Sequence, residues 1–498
     1  MDALDGPRRF SAVSFGIPAL ENGAKADQYG TIADPSELEA VLGRGEVVLH
    51  TTPKHEAKLL FKYSVPLSLT YFLQYCFSLT TIFVVGHIGT DELGAVSLAT
   101  MTANITGLAV YEGLATSLDT LCAQAYGSGK KEQVGLHLQR MILLMLLVTI
   151  PIGSIWIFSG PILSALVPER ELAILAGRYL RILLAGAPGY AIFEAGKRFT
   201  QAQGLFNASL FVLLITTPIN IVLNYVFVFV LHWGLTGAAC ATVISNTLLP
   251  ILLWVYVYFV FPASLECWGG FTPDAFTHWG PMVKLSIPGI IMVEAEWFAF
   301  DILTFSASYI STAHLAAQSV IMTTCVVMYH IPFSVSVAVS TRLGNLIGAG
   351  SIQAARIATR TYVVIFLIMG LLDATFITSM RNILPQAFSD DPEVISIAAS
   401  VVPVLAVFQV FDATTALVNS VLRGLGRQTI GGYVNLFVYY IVAVPLALFL
   451  CFGKPDLKLM GLWIGCVVGS SLITVIEGSY CKFTSWQKAY DDVVERGE

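Results

Sequence analysis

The chain has 498 residues, of which 56% are hydrophobic and 12% charged, and its formal net charge is −6. Soluble domains carry roughly 25% charged residues, so a water-soluble enzyme is excluded, and no basic block offers a surface for nucleic acid. What remains is an all-α integral membrane protein, because in lipid each backbone polar group must be satisfied within its own segment.

Residues 1–56 are polar and lack the basic and apolar regions of a cleaved signal peptide. They read as a largely disordered cytosolic tail. A short helix start is expected at Asp34-Pro35-Ser36-Glu37, with Asp34 as N-cap and Pro35 at the first helical position. Six apolar runs follow near 59–84, 95–118, 136–166, 172–196, 208–231 and 237–261. Each approaches the ~20 residues needed to cross a bilayer. A polar connection covers 262–281, and six further runs lie near 282–308, 315–339, 360–384, 394–420, 431–452 and 459–481. The expected organisation is an N-lobe over 57–261, a connection over 262–281, a C-lobe over 282–481 and a cytosolic tail over 482–498.

Twelve spans place both termini on one side. Lys54, Lys58, Lys130, Lys131, Lys197, Arg198, Arg342, Arg356, Arg423, Arg427, Lys482 and Lys488 all map there, against Arg170, Lys454 and Lys458 opposite. The excess of Lys and Arg makes that side cytosolic.

The two halves repeat. Lys62-Tyr63-Ser64-Val65-Pro66 is answered by Lys284-Leu285-Ser286-Ile287-Pro288, and Leu93 to Ser97 by Leu315 to Ser319, both 222 residues on. Gly127-Ser128-Gly129 returns as Gly348-Ala349-Gly350, and Gly237 as Gly461. Six spans per repeat is an even number, so both halves insert the same way up. Their pseudo-twofold axis then runs along the membrane normal, as in transporters with parallel repeats.

Glu294, Glu296 and Asp301 interrupt the seventh span with no Lys or Arg among them. An intramembrane carboxylate costs about 2.5–3.5 kcal/mol on insertion scales and marks an ion, proton or cation path. A shift of 222 puts Glu296 on Gln74, Asp301 on Leu79 and Glu294 on Phe72, so the acids belong to one half only. Glu294 and Asp301 share a helical face, whereas Glu294 and Glu296 lie about 200° apart. Asp412, alone in the apolar tenth span, falls on the neutral Tyr190. Two acids that approach each other hold either protons or a cation, and that exclusion is the physical basis of antiport.

Other polar groups carry weaker signals. Asp119, near Lys130 and Lys131, reads as a solvated or paired structural acid, and Glu112 and Glu194 as possible liners of the N-lobe. Asn220 and Asn224 read as a helix–helix link. Gln74, Gln318, Tyr329 and Glu294 are candidates for the cavity wall, and His330 reads as a satisfied core group. Trp297, Phe298, Phe408 and Phe411 offer aromatic faces to an organic cation. The eight cysteines form no metal-binding pair and read as small apolar residues. No P-loop, zinc-protease or dinucleotide motif implies an enzyme or a cofactor.

Several segments together resemble the eukaryotic branch of the multidrug and toxic compound extrusion (MATE) family. Leu118-Asp119-Thr120-Leu121-Cys122-Ala123-Gln124-Ala125-Tyr126-Gly127 is one, and Arg198-Phe199-Thr200-Gln201-Ala202-Gln203 another. The longest runs from Pro332 to Gly350 and includes Thr341-Arg342-Leu343-Gly344-Asn345; Val421-Leu422-Arg423-Gly424-Leu425-Gly426 with Gln428 completes the set. The resemblance covers about Glu56 to Thr484. It implies two six-helix lobes and cation-coupled efflux. It also implies a helix-seven motif of Glu-Trp with an acid five residues on, matched by Glu296-Trp297 and Asp301, and a helix-ten acid, matched by Asp412. Their implied role is to bind protons in exchange for substrate. Bacterial members use an acid on the first helix, and residues 67–85 contain none here. Glu112 and Glu194 depart from the family pattern.

The expected protein is therefore a monomeric, multi-pass antiporter that exports cationic or amphiphilic organic molecules in exchange for protons. Sodium coupling and a lipid-linked glycan flippase of related architecture are the alternatives. A major-facilitator carrier lacks its loop motif at Gly127-Ser128-Gly129-Lys130-Lys131. The sequence leaves plasma and vacuolar membrane open, and it does not name the substrate.

Overall fold

A computed structural model describes residues 51–166 and 169–497. The helix start expected at Asp34 lies outside these residues. Among them, eleven helices are long and apolar enough to cross a membrane. They are α1 (Pro53–Gly86), α2 (Thr90–Gly127), α3 (Lys131–Ile157), α4 (Arg170–Ala202), α5 (Asn207–Val230), α6 (Gly234–Phe259), α8 (Thr312–Gly348), α9 (Ile352–Ser379), α10 (Pro392–Gly424), α11 (Gln428–Phe452) and α12 (Lys458–Phe483). The twelfth, α7 (Gly280–Ser308), holds their place in the series but is interrupted by Glu294, Glu296 and Asp301. A final helix, α13 (Trp486–Glu495), follows α12.

Local chemistry sets the helix starts. The Thr52 hydroxyl accepts the His55 N–H ahead of Pro53, and the Asp391 carboxylate accepts the Glu393 N–H ahead of Pro392. Ser311 caps α8 in the same way. Helix α1 thus takes in the last four residues, 53–56, of the segment read as tail. The third apolar run divides into α3 and a short helix, Ser159–Leu166. Between the halves, short 3₁₀ turns at Pro262–Cys267 and Pro273–Phe276 pack on α3. There Lys131 pairs with Glu266 at 2.7 Å, and its hydrogen bond and charge hold the Glu266 carboxyl below its usual range.

The repeat is built into the packing. In the first half α1 packs on α5, α5 on α6, α6 on α4 and α4 on α2. In the second half α7 packs on α11, α11 on α12, α12 on α10 and α10 on α8. Between halves α2 packs on α7 and α8, and α1 on α8. The α2–α8 crossing is itself twofold. A side chain at Gly127 would strike the Asn345 backbone, and one at Gly348 would strike the Gln124 backbone. Gln124 Nε2 donates to the Gly424 carbonyl at 2.9 Å, and Asn345 Nδ2 to the Ala202 carbonyl at 3.3 Å. Gly129 and Gly350 both turn at positive φ, 84° and 70°.

These crossings lie near the side where both described ends emerge, the terminal side. A buried ion pair joins the halves there: Arg342 meets Glu56 through Nη2–Oε1 at 2.7 Å and Nε–Oε2 at 3.1 Å. Tyr362 and Thr51 also donate to that carboxylate, each at 2.7 Å. Helix α13 lies across the same side. It buries Trp486, Ala489 and Val493 in a core shared with α8 and pairs Asp492 with Arg427 at 2.8 Å. The segment just beyond it reaches α2 and α3, where Arg496 donates to Gln124, and Lys130 and Gln133 donate to the Gly497 carbonyl.

The structure corrects one part of the charge count. Lys197, Arg198, Arg342 and Arg423 are buried. Helices α4, α8 and α10 continue past the apolar runs, so these cations fall inside the protein and take internal partners. Lys54, Lys58, Lys130, Arg356, Lys482 and Lys488 are exposed on the terminal side.

Candidate functional site

Helix α7 presents Glu296 and Trp297 to a recess closed by Cys325 and Tyr329 of α8 and by Phe408 and Asp412 of α10. Glu296 Oε1 accepts a hydrogen bond from the Tyr439 hydroxyl of α11 at 3.0 Å. Asp412 is 2% exposed, and its Oδ2 has no hydrogen-bond partner among the described residues. The walls are aromatic. Trp297 meets Tyr329 edge to face at 6.3 Å between centroids, and Phe300 meets Phe408 in the same manner at 5.8 Å. No Lys or Arg lines the recess. Two acids facing one aromatic space with no counter-ion can take up a proton or a cation.

The structure therefore brings together Glu296, Trp297, Tyr329 and Asp412. It does not bring Asp301 to them. Asp301 is half-buried and shares electrostatic reach with Glu294 and Tyr440, as seven-residue spacing along one face requires. Glu294 also lies within electrostatic reach of Glu112 on α2, so that face of α7 looks toward the first half. Gln318, read as a cavity liner, is instead fully buried beside the recess. Its Oε1 accepts from the Trp463 indole at 2.9 Å and its Nε2 donates to Thr304 at 3.3 Å.

Gln74 belongs to a second polar cluster in the first half. Glu194 Oε1 accepts from Gln74 Nε2 at 2.8 Å and from Lys197 Nζ at 2.7 Å. Both ions of that pair are 0% exposed. The Lys197 ammonium also sits 4.6 Å from the Tyr71 ring centroid. Tyr190 donates to Glu112 at 2.7 Å. Asp119 pairs with Arg198 at 3.4 Å, not with Lys130 or Lys131, because it lies inside α2 rather than at its rim. Asn220 donates to Ser245 at 2.9 Å and so links α5 to α6, and His330 is satisfied by the Val326 carbonyl.

Sequence reasoning missed Tyr439 and Cys325 at the recess and Lys197 in the first half. The Glu194–Lys197 spacing of i,i+3 was the available signal for the last. No group of three or more His, Cys, Asp or Glu suited to a metal ion occurs among the described residues.

Two pseudo-symmetric bundles of membrane helices with unpaired acids inside one of them define a secondary transporter rather than an enzyme. The MatE family model matches residues 66–226 and again 288–449, one copy per half. The chain belongs to the multidrug and toxic compound extrusion family. It is 43% identical over 453 residues to the Saccharomyces cerevisiae transporter YDR338C, covering 90% of this chain and 65% of that protein. It is 32% identical over 478 residues to multidrug and toxin extrusion protein 2 of Mus musculus, covering 94% and 83%. The crystal structure of the eukaryotic MATE transporter AtDTX14 superposes with a TM-score of 0.84 at 32% identity, covering 89% of this chain and 99% of that one.

Proposed function

We propose that this protein exports cationic or amphiphilic organic molecules in exchange for protons, with Glu296 and Asp412 as the coupling acids. One observation carries the reading: two carboxylates share an aromatic recess that contains no basic residue. Carboxyl groups confined together resist being charged together, so a bound organic cation and bound protons compete for them. With the lobes open to the outside, protons reach Glu296 and Asp412 and neutralise the charge that held the substrate. The substrate leaves. The protonated protein rocks to the other face, releases its protons and binds substrate again.

Tyr439 steadies the Glu296 carboxylate for this exchange. Asp301 and Glu294, on the other face of α7, add negative potential that draws cations toward the helix. The protein acts as a monomer with both termini in the cytosol, a placement supported by the exposed Lys54, Lys58, Lys130, Lys482 and Lys488. It resides in the plasma or vacuolar membrane.

The test uses the purified full chain in lipid vesicles, with ethidium as a fluorescent cation and separately imposed proton and sodium gradients. A pH gradient is expected to drive ethidium transport by the wild-type protein. Glu296→Gln should insert normally and fall to the rate of empty vesicles. Transport driven by sodium alone, or a Glu296→Gln protein with unchanged gradient-driven transport, overturns the assignment.

A further inference from the structure

Glu477 on α12 is absent from the recess, yet it is 0% exposed and neither carboxylate oxygen has a hydrogen-bond partner among the described residues. Burying a carboxyl with no partner is costly, and such a residue within a membrane helix marks a pathway by default. The surrounding geometry says which pathway. Ser470, Ile473, Glu477 and Cys481 form a buried stripe at helical spacing, and α12 packs on α10. The register of the two helices is set by a cluster of hydroxyls. Thr415 Oγ1 donates to the Ser470 carbonyl at 3.2 Å and lies 3.1 Å from Thr474 Oγ1, and Thr414 Oγ1 lies 3.2 Å from the same atom. Farther toward the terminal side, a side chain at Gly478 would meet Val418 at 3.7 Å.

Polar side chains at helical spacing line up between the two acids. Asp412 and Thr415 are three residues apart on α10, Thr415 and Thr474 touch across the interface, and Thr474 and Glu477 are three residues apart on α12. Side chains at i,i+3 are neighbours, with about 5–6 Å between Cβ atoms, a gap one water molecule bridges. The two acids end the route, and each has an unpartnered oxygen: Asp412 Oδ2 at one end, both oxygens of Glu477 at the other. Glu477 lies six residues before the last residue of α12, on the terminal side of the hydroxyl cluster.

We propose that Glu477 is the proton relay through which Asp412 discharges to the cytosol, an inference that rests on the proton-exchange reading above. The Asp412 carboxyl gives up its proton. Each intervening hydroxyl or water accepts one proton and donates its own, so none gains or loses a hydrogen. The Glu477 carboxylate takes the last proton and passes it to cytosolic water, regenerating both carboxylates. In the conformation described here the route is shut at its outer end, because Glu477 is sealed from solvent. A relay open in this state would leak protons. Because α12 packs on α7, α10 and α11 of its own half, the opening is a shift of the terminal-side end of α12 against α10 within the second half.

The groups that share this route electrostatically are Cys481 beside Glu477, and Glu296, Asp373, Cys325, Cys466, Tyr329 and Tyr439 around Asp412. No cation pairs with Glu477 among the described residues.

The experiment compares wild type, Glu296→Gln, Glu477→Gln, Glu477→Asp and Thr474→Val in vesicles by two readouts. One is ethidium transport driven by a pH gradient. The other is ethidium–ethidium exchange at uniform pH, which moves no net protons. Glu477→Gln and Thr474→Val are expected to keep exchange within about twofold of wild type while gradient-driven transport falls about tenfold, and Glu477→Asp should recover most of it. Gradient-driven transport by Glu477→Gln at the wild-type rate overturns the proposal. So does a loss of both readouts together, which marks a structural role. Wild type that ignores the pH gradient overturns the proton reading itself and is recognised before any variant is compared.

Discussion

Lys197 shows what a single side chain decides in this fold. Its ammonium is fully enclosed between the Glu194 carboxylate, the Gln74 amide oxygen at 3.3 Å and the Tyr71 ring. Breaking such a pair from one side leaves an uncompensated buried charge, which costs about 3–5 kcal/mol. Lys197→Met is therefore expected to lower the melting temperature in detergent sharply. Adding Glu194→Gln should recover much of the loss, because the second change removes the orphaned charge; thermal unfolding of the two proteins checks the order. The contrast with Glu296 and Asp412 explains what the sequence could reveal. An acid alone in an apolar run is a local anomaly and is legible in one dimension. A cation near the end of a run looks like an ordinary cytosolic charge, and only the continuation of α4 to Ala202 places Lys197 inside. Tyr439 and Cys325 reach the recess from other helices, and nothing in their own neighbourhoods marks them.

At the level of whole helices, the repeat was legible because it is carried by short marked segments at a nearly constant offset. The same segments prove to be contact points. Gly127 and Gly348 permit the backbone approach of α2 to α8, and no larger residue fits either place without displacing a main chain. Overpacking at such a crossing costs about 1–3 kcal/mol. Gly348→Val is expected to insert and fold, yet to favour the conformation in which the terminal side is parted. The measurement is the labelling rate of a cysteine placed at Ser340, which should rise relative to the same cysteine in the parent protein. An unchanged rate would show that the crossing does not control access. Each of the twelve apolar runs falls on a long helix, but several ends were misjudged. Thr52, Asp391 and Ser311 act through caps and not through hydropathy. The α7 acids make that helix the least membrane-like of the series by composition, although its packing on α2 and α11 is extensive.

Across the whole molecule, the Glu56–Arg342 pair and the hydrogen bond from Tyr362 hold α1 against α8 and α9 at the terminal side. Parting the halves on that side would separate these groups, so the pair favours the form in which the terminal side is closed. Glu56→Gln is expected to shift the population toward the terminal-side-open form, and the Glu56→Arg, Arg342→Glu double reversal to restore part of the balance. Distances between spin labels on the exposed ends of α2 and α9 report both. Equal distributions in all three proteins would remove the pair from the gating account. Helix α13 adds a second constraint of another kind. It buries one face against α8 and ties Asp492 to Arg427, and Arg496 and Gly497 just beyond it bond to Gln124 of α2 and to Lys130 ahead of α3. It therefore bridges the two halves of the chain as a strap spans two halves of a case. Parting the halves on the terminal side would break these contacts. A bulky fusion or an antibody fragment seated on these last residues then becomes a brake on the cycle, slowing delivery of every substrate alike while touching neither the recess nor its protons.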